Sequence, residues 1–335
     1  MAQELAATIE SAEPADEAST PASSPLSRLP SIFYAIGALA VLIALFSVLN
    51  AAFLTRFNLN IIGLSAVILL AAGIGQTWCI VTGGIDLSVG GVISLTSVVF
   101  MLTLPSLGYW AYPLCIALGA FLGSVNGVLL TRVKIPSFIA TLGTGGILVS
   151  VAYILSPKAI SAPMKSIGLL KAVNGSVWGF SNAFIIGLAF FAVFYVVQRY
   201  TRTGRNIFFV GSNVKMSWLS GVNIARTKTL AFMFSGIGAA TAGVILASRQ
   251  YSGYPTIGNP YILSSIATVV LGGTAMTGGT GGMLNTLVGA LVMAVLQNGM
   301  TVVGVDVYLQ QSLLGAMIIL CVWISFDRSK VEIVK

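Results

Sequence analysis

The stretch VTGGIDLSVGG, residues 81–91, places one carboxylate, Asp86, among four glycines and a serine in an apolar region of a 335-residue chain. Between Ser31 and Ile324 the only other acid is Asp306, and there is no histidine anywhere. General acid–base catalysis usually works through histidine or a tuned carboxylate pair, and zinc needs clustered His, Cys or carboxylate ligands. Neither arrangement is present. Cys79, Cys115 and Cys321 are far apart in sequence and odd in number, so they form no ligand cluster or disulfide framework. What the stretch offers is geometry. Gly83 and Gly84 can break a helix, Asp86 can accept the free N–H groups of the next one, and Ser88 can add a second acceptor. A broken helix in a membrane is tolerated only where protein covers it or it lines a wet cavity. Asp86 is therefore either a helix cap near the cytoplasmic interface or part of a solute path.

The run LGGTAMTGGTGG, residues 271–282, holds six glycines and three threonines. A phosphate-binding loop needs a lysine followed by Ser or Thr after its last glycine, and here Met283 follows Gly282. No nucleotide site or other cofactor is implied. Such a run permits close helix approach with inter-helix hydrogen bonds, or a turn at a membrane boundary, and close packing is the expectation.

The other polar residues of the apolar segments are neutral: Asn60, Gln76, Thr96, Asn126, Thr141, Thr144, Asn285, Gln297, Asn298, Gln310 and Gln311. Amides and hydroxyls exchange hydrogen bonds with a neutral, hydroxyl-rich solute without moving net charge through a bilayer. Each can also be helix–helix glue. The candidate residues for a path or helix break are Gln76, Gly83, Gly84, Asp86, Ser88, Asn126, Thr141 and Asn298.

The elements that must position these residues follow from composition. The chain is 56% hydrophobic and 8% charged, against roughly 25% charged in soluble domains. It reads as an all-α integral membrane protein. Its apolar stretches are too continuous for the alternating strands of a barrel. They fall near 32–54, 61–82, 87–104, 109–131, 135–155, 180–198, 229–247, 262–274, 283–304 and 308–325, which predicts about ten crossings. Residues 31–326 form the predicted membrane domain. Residues 1–30 carry five of the nine acids among Pro, Ser and Ala, the composition of a disordered tail. They lack the features of a secretory signal. Residues 327–335 are a second tail.

If both tails are cytoplasmic, twelve basic residues fall inside and five outside (Arg56, Lys158, Lys165, Lys171 and Arg249), in line with the positive-inside bias. The net charge of +8 is scattered between apolar segments and forms no nucleic-acid-binding face. Of two long connections, 156–179 falls outside, while 199–228 falls inside with six basic residues and no acid. That inner segment suits docking of another protein, or binding of anionic membrane lipid.

There is also an internal echo. Asn126-Gly127 and Asn298-Gly299 are each followed, seventeen residues after the asparagine, by a glycine, Gly143 and Gly315. An odd number of predicted spans separates the copies, so they would form an inverted repeat, a recurrent feature of transport folds.

Four runs carry a family resemblance: GGIDLSVG at 83–90, IPSFIATLGT at 135–144, TGRNIFFVGSN at 203–213 with LSGV at 219–222, and ATVVLGGTAMTGG at 267–279. From about Asn60 to Arg328 the chain resembles the permease subunit of ATP-binding-cassette importers for simple sugars of the ribose, xylose and arabinose type. The resemblance implies a non-catalytic channel in the bacterial inner membrane, formed with a second permease copy, identical or not. It implies a cytoplasmic ATPase and a periplasmic sugar-binding protein delivering a pentose, hexose or related polyol. It also assigns ATPase docking to 199–228, through the matching positions Gly204, Arg205, Gly211, Asn213, Ser220 and Gly221. The chain departs from the family pattern at Lys215 to Trp218, at Ile262 and Ser264, and at Thr280.

The alternative is an ion-coupled secondary transporter or facilitator for a small neutral polar solute. Coupling to protons or sodium usually needs ionisable groups inside the bundle, and only Asp86 qualifies. An intramembrane enzyme lacks the residues such chemistry requires.

Overall fold

The computed structural model describes residues 31–177 and 180–325, so the acidic segment 1–30 and the tail 327–335 lie outside the described residues. The chain is a helical membrane protein. Its first helices are α1 (Ser31–Leu49), α2 (Arg56–Val81), α3 (Val89–Leu107), α4 (Ala111–Val128) and α5 (Ser137–Leu155). A short helix α6 (Ile167–Asn174) precedes α7 (Asn182–Tyr200), α8 (Arg202–Ser212) and α9 (Val214–Leu219). The chain then continues through α10 (Ile224–Gln250), α11 (Asn259–Leu271), α12 (Met283–Val303) and α13 (Val307–Ser325). Four two-residue strands pair antiparallel in the connections: β1 (Ile160–Ser161) with β4 (Ser252–Gly253), and β2 (Ser176–Val177) with β3 (Phe180–Ser181).

Among the described residues, seven helical stretches are long and apolar enough to cross a membrane. One of them, Val89–Val133, runs 45 residues, roughly 68 Å if it were straight. It turns instead at Gly108, whose φ of 57° lies in the region that favours glycine, and divides into α3 and α4, which pack on each other.

Several helix ends depart from the apolar segments read in the sequence. The segment 32–54 stops being α-helix at Leu49, because Asn50 turns the chain. Its Oδ1 accepts from the Ala52 N–H at 2.9 Å and its Nδ2 donates to the Val302 carbonyl at 2.8 Å. The segment 262–274 becomes α11, which starts earlier, with Pro260 in its first turn, and stops at Leu271. The glycine run that follows is chiefly a turn, with Gly273, Gly278, Gly279, Gly281 and Gly282 all at positive φ. It is also closely packed, Gly272 against the backbone of Asn285 on α12, and Gly278 and Gly279 against the ends of α2 and α8 at Val81, Gly211 and Ser212.

The two longest helices, α2 and α10, form the enclosed centre of the bundle. Apolar side chains cannot drive helices together in lipid as they do in water, so packing must come from close backbone approach. On α4, Gly119, Gly123 and Gly127 recur every fourth residue, and a Cβ on any of them would run into α10 at Gly236, Phe232 or Thr229. Aromatic packing closes one side of the centre. Trp78 on α2 lies 5.2 Å, ring to ring, from Phe234 on α10 and 6.2 Å from Phe194 on α7.

Candidate functional site

The helix break expected at 83–88 is present, and side chains of α2, α4 and α5 fasten it with hydrogen bonds. α2 ends when Gly83 turns to φ 76° and the Gly84 N–H reaches back to the Cys79 carbonyl at 2.9 Å. This closes the helix in the manner of a glycine C-terminal cap. The chain then runs without regular structure until α3 begins at Val89. Its backbone groups lack ladder partners, and side chains supply them. Ser137, at the start of α5, accepts from the Ile85 N–H at 3.2 Å, and Thr141, one turn later, accepts from the Leu87 N–H at 3.0 Å. Gln76, one and a half turns before the end of α2, clamps the Asp86 backbone. In the amide orientation that satisfies both ends, its nitrogen donates to the Asp86 carbonyl at 3.1 Å and its oxygen accepts from the Asp86 N–H at 3.3 Å.

The Asp86 side chain is 1% exposed. Its Oδ1 accepts both from the Ser88 N–H at 2.9 Å and from the Ser88 hydroxyl at 2.6 Å, so it caps the entry to α3 through a tight local turn. The expectation that Ser88 adds a second acceptor for helix N–H groups is corrected. Its hydroxyl donates to Asp86 and accepts from Asn126 Nδ2 at 2.8 Å. Ser235 of α10 faces Asp86, but its hydroxyl makes no hydrogen bond of normal geometry. Among the described residues no cation pairs with Asp86, which stands in a neutral shell of amides and hydroxyls. Such a shell holds backbone in an unusual shape and offers neither a base aimed at a substrate nor a metal cage. No cluster of metal-ligating side chains exists among the described residues.

Seven of the eight candidate residues thus lie in one assembly: Gln76, Gly83, Gly84, Asp86, Ser88, Asn126 and Thr141. Asn298 does not. It forms a reciprocal amide pair with Asn58 in the first turn of α2, at 2.8 and 2.9 Å. Along the axis that lies roughly 27 Å from Gln76. Ser137 and Ser235 were missed by the sequence reading. A signal existed for Ser137, which follows Pro136 at a helix start where a hydroxyl is free for non-local bonding.

The second group of candidates lies on α8, α9 and their flanks. The turn from α7 into α8 is tight at Gly204, where a Cβ would strike the carbonyls of Val197 and Gln198, and Thr201 caps α8 by accepting from the Gly204 N–H at 3.2 Å. Arg205 is exposed on α8. Asn213 caps α9 by accepting from the Met216 N–H at 2.9 Å. Ser220 and Gly221 end α9, with Gly221 at φ 78° and its N–H bonded to the Trp218 carbonyl. On α9 the apolar side chains point out: Val214, Met216, Trp218 and Leu219 are all about half exposed or more.

Gly211 joins the two groups. A Cβ there would overlap the Val81 carbonyl at the end of α2, and the same carbonyl accepts from the Gly279 N–H at 2.9 Å. The end of α8, the end of α2 and the glycine run therefore meet backbone to backbone, five residues from Gln76 and five from Asp86.

The family described as "Branched-chain amino acid transport system / permease component" matches residues 57–322. The chain is 36% identical over 301 residues to the ribose import permease protein of Escherichia coli, covering 85% of this chain and 90% of that one. It is 35% identical over 299 residues to the ribose import permease protein of Bacillus subtilis, covering 87% and 91%. To the D-allose transport system permease protein of Escherichia coli it is 29% identical over 294 residues, covering 87% and 89%. No solved structure matches the chain. With the family pattern running from the start of α2 almost to the end of α13, the chain belongs to the permease components of the branched-chain amino acid transport type.

Proposed function

We propose that this chain is the transmembrane permease subunit of an ATP-binding-cassette importer that carries a simple sugar, a pentose, hexose or related polyol, across the bacterial inner membrane. Its relatives in Escherichia coli and Bacillus subtilis are permeases named for ribose and allose. The observation that carries the reading is the backbone junction at Gly211, Val81 and Gly279, which links the 199–228 segment to the broken helix at Asp86 without a flexible spacer. A push on α8 and α9 is transmitted to the break because close-packed backbone leaves no slack.

The docked partner is a cytoplasmic ATPase. The exposed Val214, Met216, Trp218 and Leu219 on α9 form an apolar knob of the kind that sits in a partner's groove. A periplasmic binding protein delivers the sugar, and a second permease copy completes the channel. The topology is ten crossings with both termini inside. It counts Val89–Val133 twice and adds the 13-residue α11 and the 19-residue α13. The inverted repeat is retained as part of this reading. Gly143 on α5 and Gly315 on α13 each follow a helix turn and each face open space.

The neutral lining favours sugar over a branched-chain amino acid, whose ammonium and carboxylate groups would need counter-charges. It also disfavours an ion-coupled carrier. Asp306 is exposed and caps the start of α13 through the Tyr308 N–H, which leaves Asp86 as the single enclosed acid among the described residues. The test is reconstitution in proteoliposomes with the co-encoded ATPase and binding protein. D-ribose should accumulate only with ATP and all components. Accumulation by the chain alone under an ion gradient would overturn the assignment.

A further inference from the structure

A groove of about 400 Å³ opens between α11, α12 and α13. This lies within the roughly 300–1,000 Å³ of small-molecule sites. Its polar lining is Asn259, Ser264, Gln297 and Gln311, over an apolar floor that includes Met293 and Leu314. The depth is informative. Asn259 begins α11, Gln297 lies six residues before the end of α12, and Gln311 lies four residues into α13. The groove therefore starts at the rim where α12 turns into α13 and runs about 10–15 Å inward, toward the middle of a hydrocarbon core about 30 Å thick, to Asn259, whose neighbour Gly258 packs on Gly90 in the first turn of α3.

The hydrogen bonds of the lining are largely unspent. Ser264 donates to the Pro260 carbonyl at 2.8 Å and receives a long bond of 3.3 Å from Gln297 Nε2. The side-chain amides of Asn259 and Gln311 have no partner among the described residues. Free amides at this depth are costly against lipid, so the groove must be wet or filled by a polar occupant. No ionisable side chain lines it.

We infer that this groove is the outward-opening subsite that receives the sugar from the binding protein, with Gln297, Gln311 and Asn259 exchanging hydrogen bonds with its hydroxyls and Met293 and Leu314 meeting its C–H face. This rests on the sugar-import reading and deepens it by naming the residues. Amides suit the task because each carries both donors and an acceptor, which matches a hydroxyl in either role. The uncharged lining admits a neutral polyol and penalises a zwitterion, which would lose hydration without gaining a counter-ion.

The test has two arms on the full importer. In the first, Gln297→Cys and Gln311→Cys are treated, in right-side-out vesicles, with a membrane-impermeant maleimide. The unsubstituted chain serves as background and Leu313→Cys, on another face of α13, as the lipid-facing control. Labelling at 297 and 311 but not 313 is expected, and protection of both positions would overturn the groove as an aqueous site. In the second arm Gln297→Leu and Gln311→Leu are assayed for ATP-driven D-ribose uptake. Each should lower uptake by roughly tenfold, the worth of one lost hydrogen bond to substrate, while ATP hydrolysis stimulated by the binding protein continues. Unchanged uptake by both variants would overturn the subsite. Labelling of the two cysteine variants as expected, with no sugar moved even by the unsubstituted complex, would fault the import reading and support the aqueous groove.

Discussion

Gly211, in the last turn of α8, lies so close to the carbonyl oxygen of Val81, at the end of α2, that a Cβ on residue 211 would overlap that oxygen. The same oxygen already accepts from Gly279, so it has no freedom to swing aside. Gly211→Val should therefore force α8 off α2, at an overpacking cost of about 1–3 kcal/mol. In the reconstituted importer the expected outcome is ATP hydrolysis that persists while uptake falls sharply. Gly304→Ala is the matched control. Gly304 has φ 86° but open space around it and lies outside the docking segment, so that change carries only local strain of roughly 1–2 kcal/mol. Equal coupling in both variants would show that the junction transmits nothing.

Asp86 works through one oxygen, which accepts from both donors of Ser88. Asparagine has an oxygen in the same place and caps well. Asp86→Asn should insert normally and keep a substantial share of uptake. Asp86→Leu leaves a buried N–H and a buried hydroxyl without an acceptor, about 1–3 kcal/mol for each, and should lower the melting temperature of the detergent-purified protein. Loss of all uptake in Asp86→Asn, with normal insertion and melting, would instead require the negative charge itself.

Gln76 holds the Asp86 carbonyl and N–H together, so it fixes the height of the break relative to α2. Gln76→Leu should cost about 1–3 kcal/mol for each backbone group left unpaired. The break would then be held from the α5 side, by Ser137 and Thr141, and from α4 through Asn126 and Ser88. Thermal unfolding checks the first consequence. Protease sensitivity between 82 and 88 checks the second, and an unchanged cleavage pattern would remove Gln76 from the clamp.

Local signals in the sequence located the break and left its fastenings unseen. Glycines beside an acid in an apolar run mark a broken helix because no other function suits that set of residues, and Gly83 does end α2. The partners come from helices far away in the chain. Thr141 reaches Leu87 across 54 residues and Asn126 reaches Ser88 across 38, and one-dimensional spacing carries no trace of such meetings. Asn298 shows the converse, since its echo of Asn126 grouped it with the break while its amide bonds Asn58 at the far end of α2. The ten apolar segments differ from the seven long helical stretches for a geometric reason. Hydropathy registers α3 and α4 separately, as the two packed helices they are, although helical structure resumes directly between them at Gly108–Trp110, and it registers α11 although 13 residues span only about 20 Å.

The six-residue helix α9, with four apolar side chains turned outward, buries almost none of its own surface, so it contributes little to the stability of the bundle. Trp218, 68% exposed, is the largest of the four. Exposed tryptophans of this kind are typical anchors of protein interfaces, where truncation often costs 2 kcal/mol or more of binding, about thirtyfold in affinity. Trp218→Glu should therefore leave membrane insertion and melting unchanged and abolish co-purification of the ATPase. Ser217→Leu tests the other side of the same helix. Ser217 is buried and donates to the Asn213 carbonyl, so enlarging it should disturb the seating of α9 and lower stability as well as docking. If Trp218→Glu retains the ATPase at wild-type stoichiometry, the exposed face of α9 is not where the partner holds on.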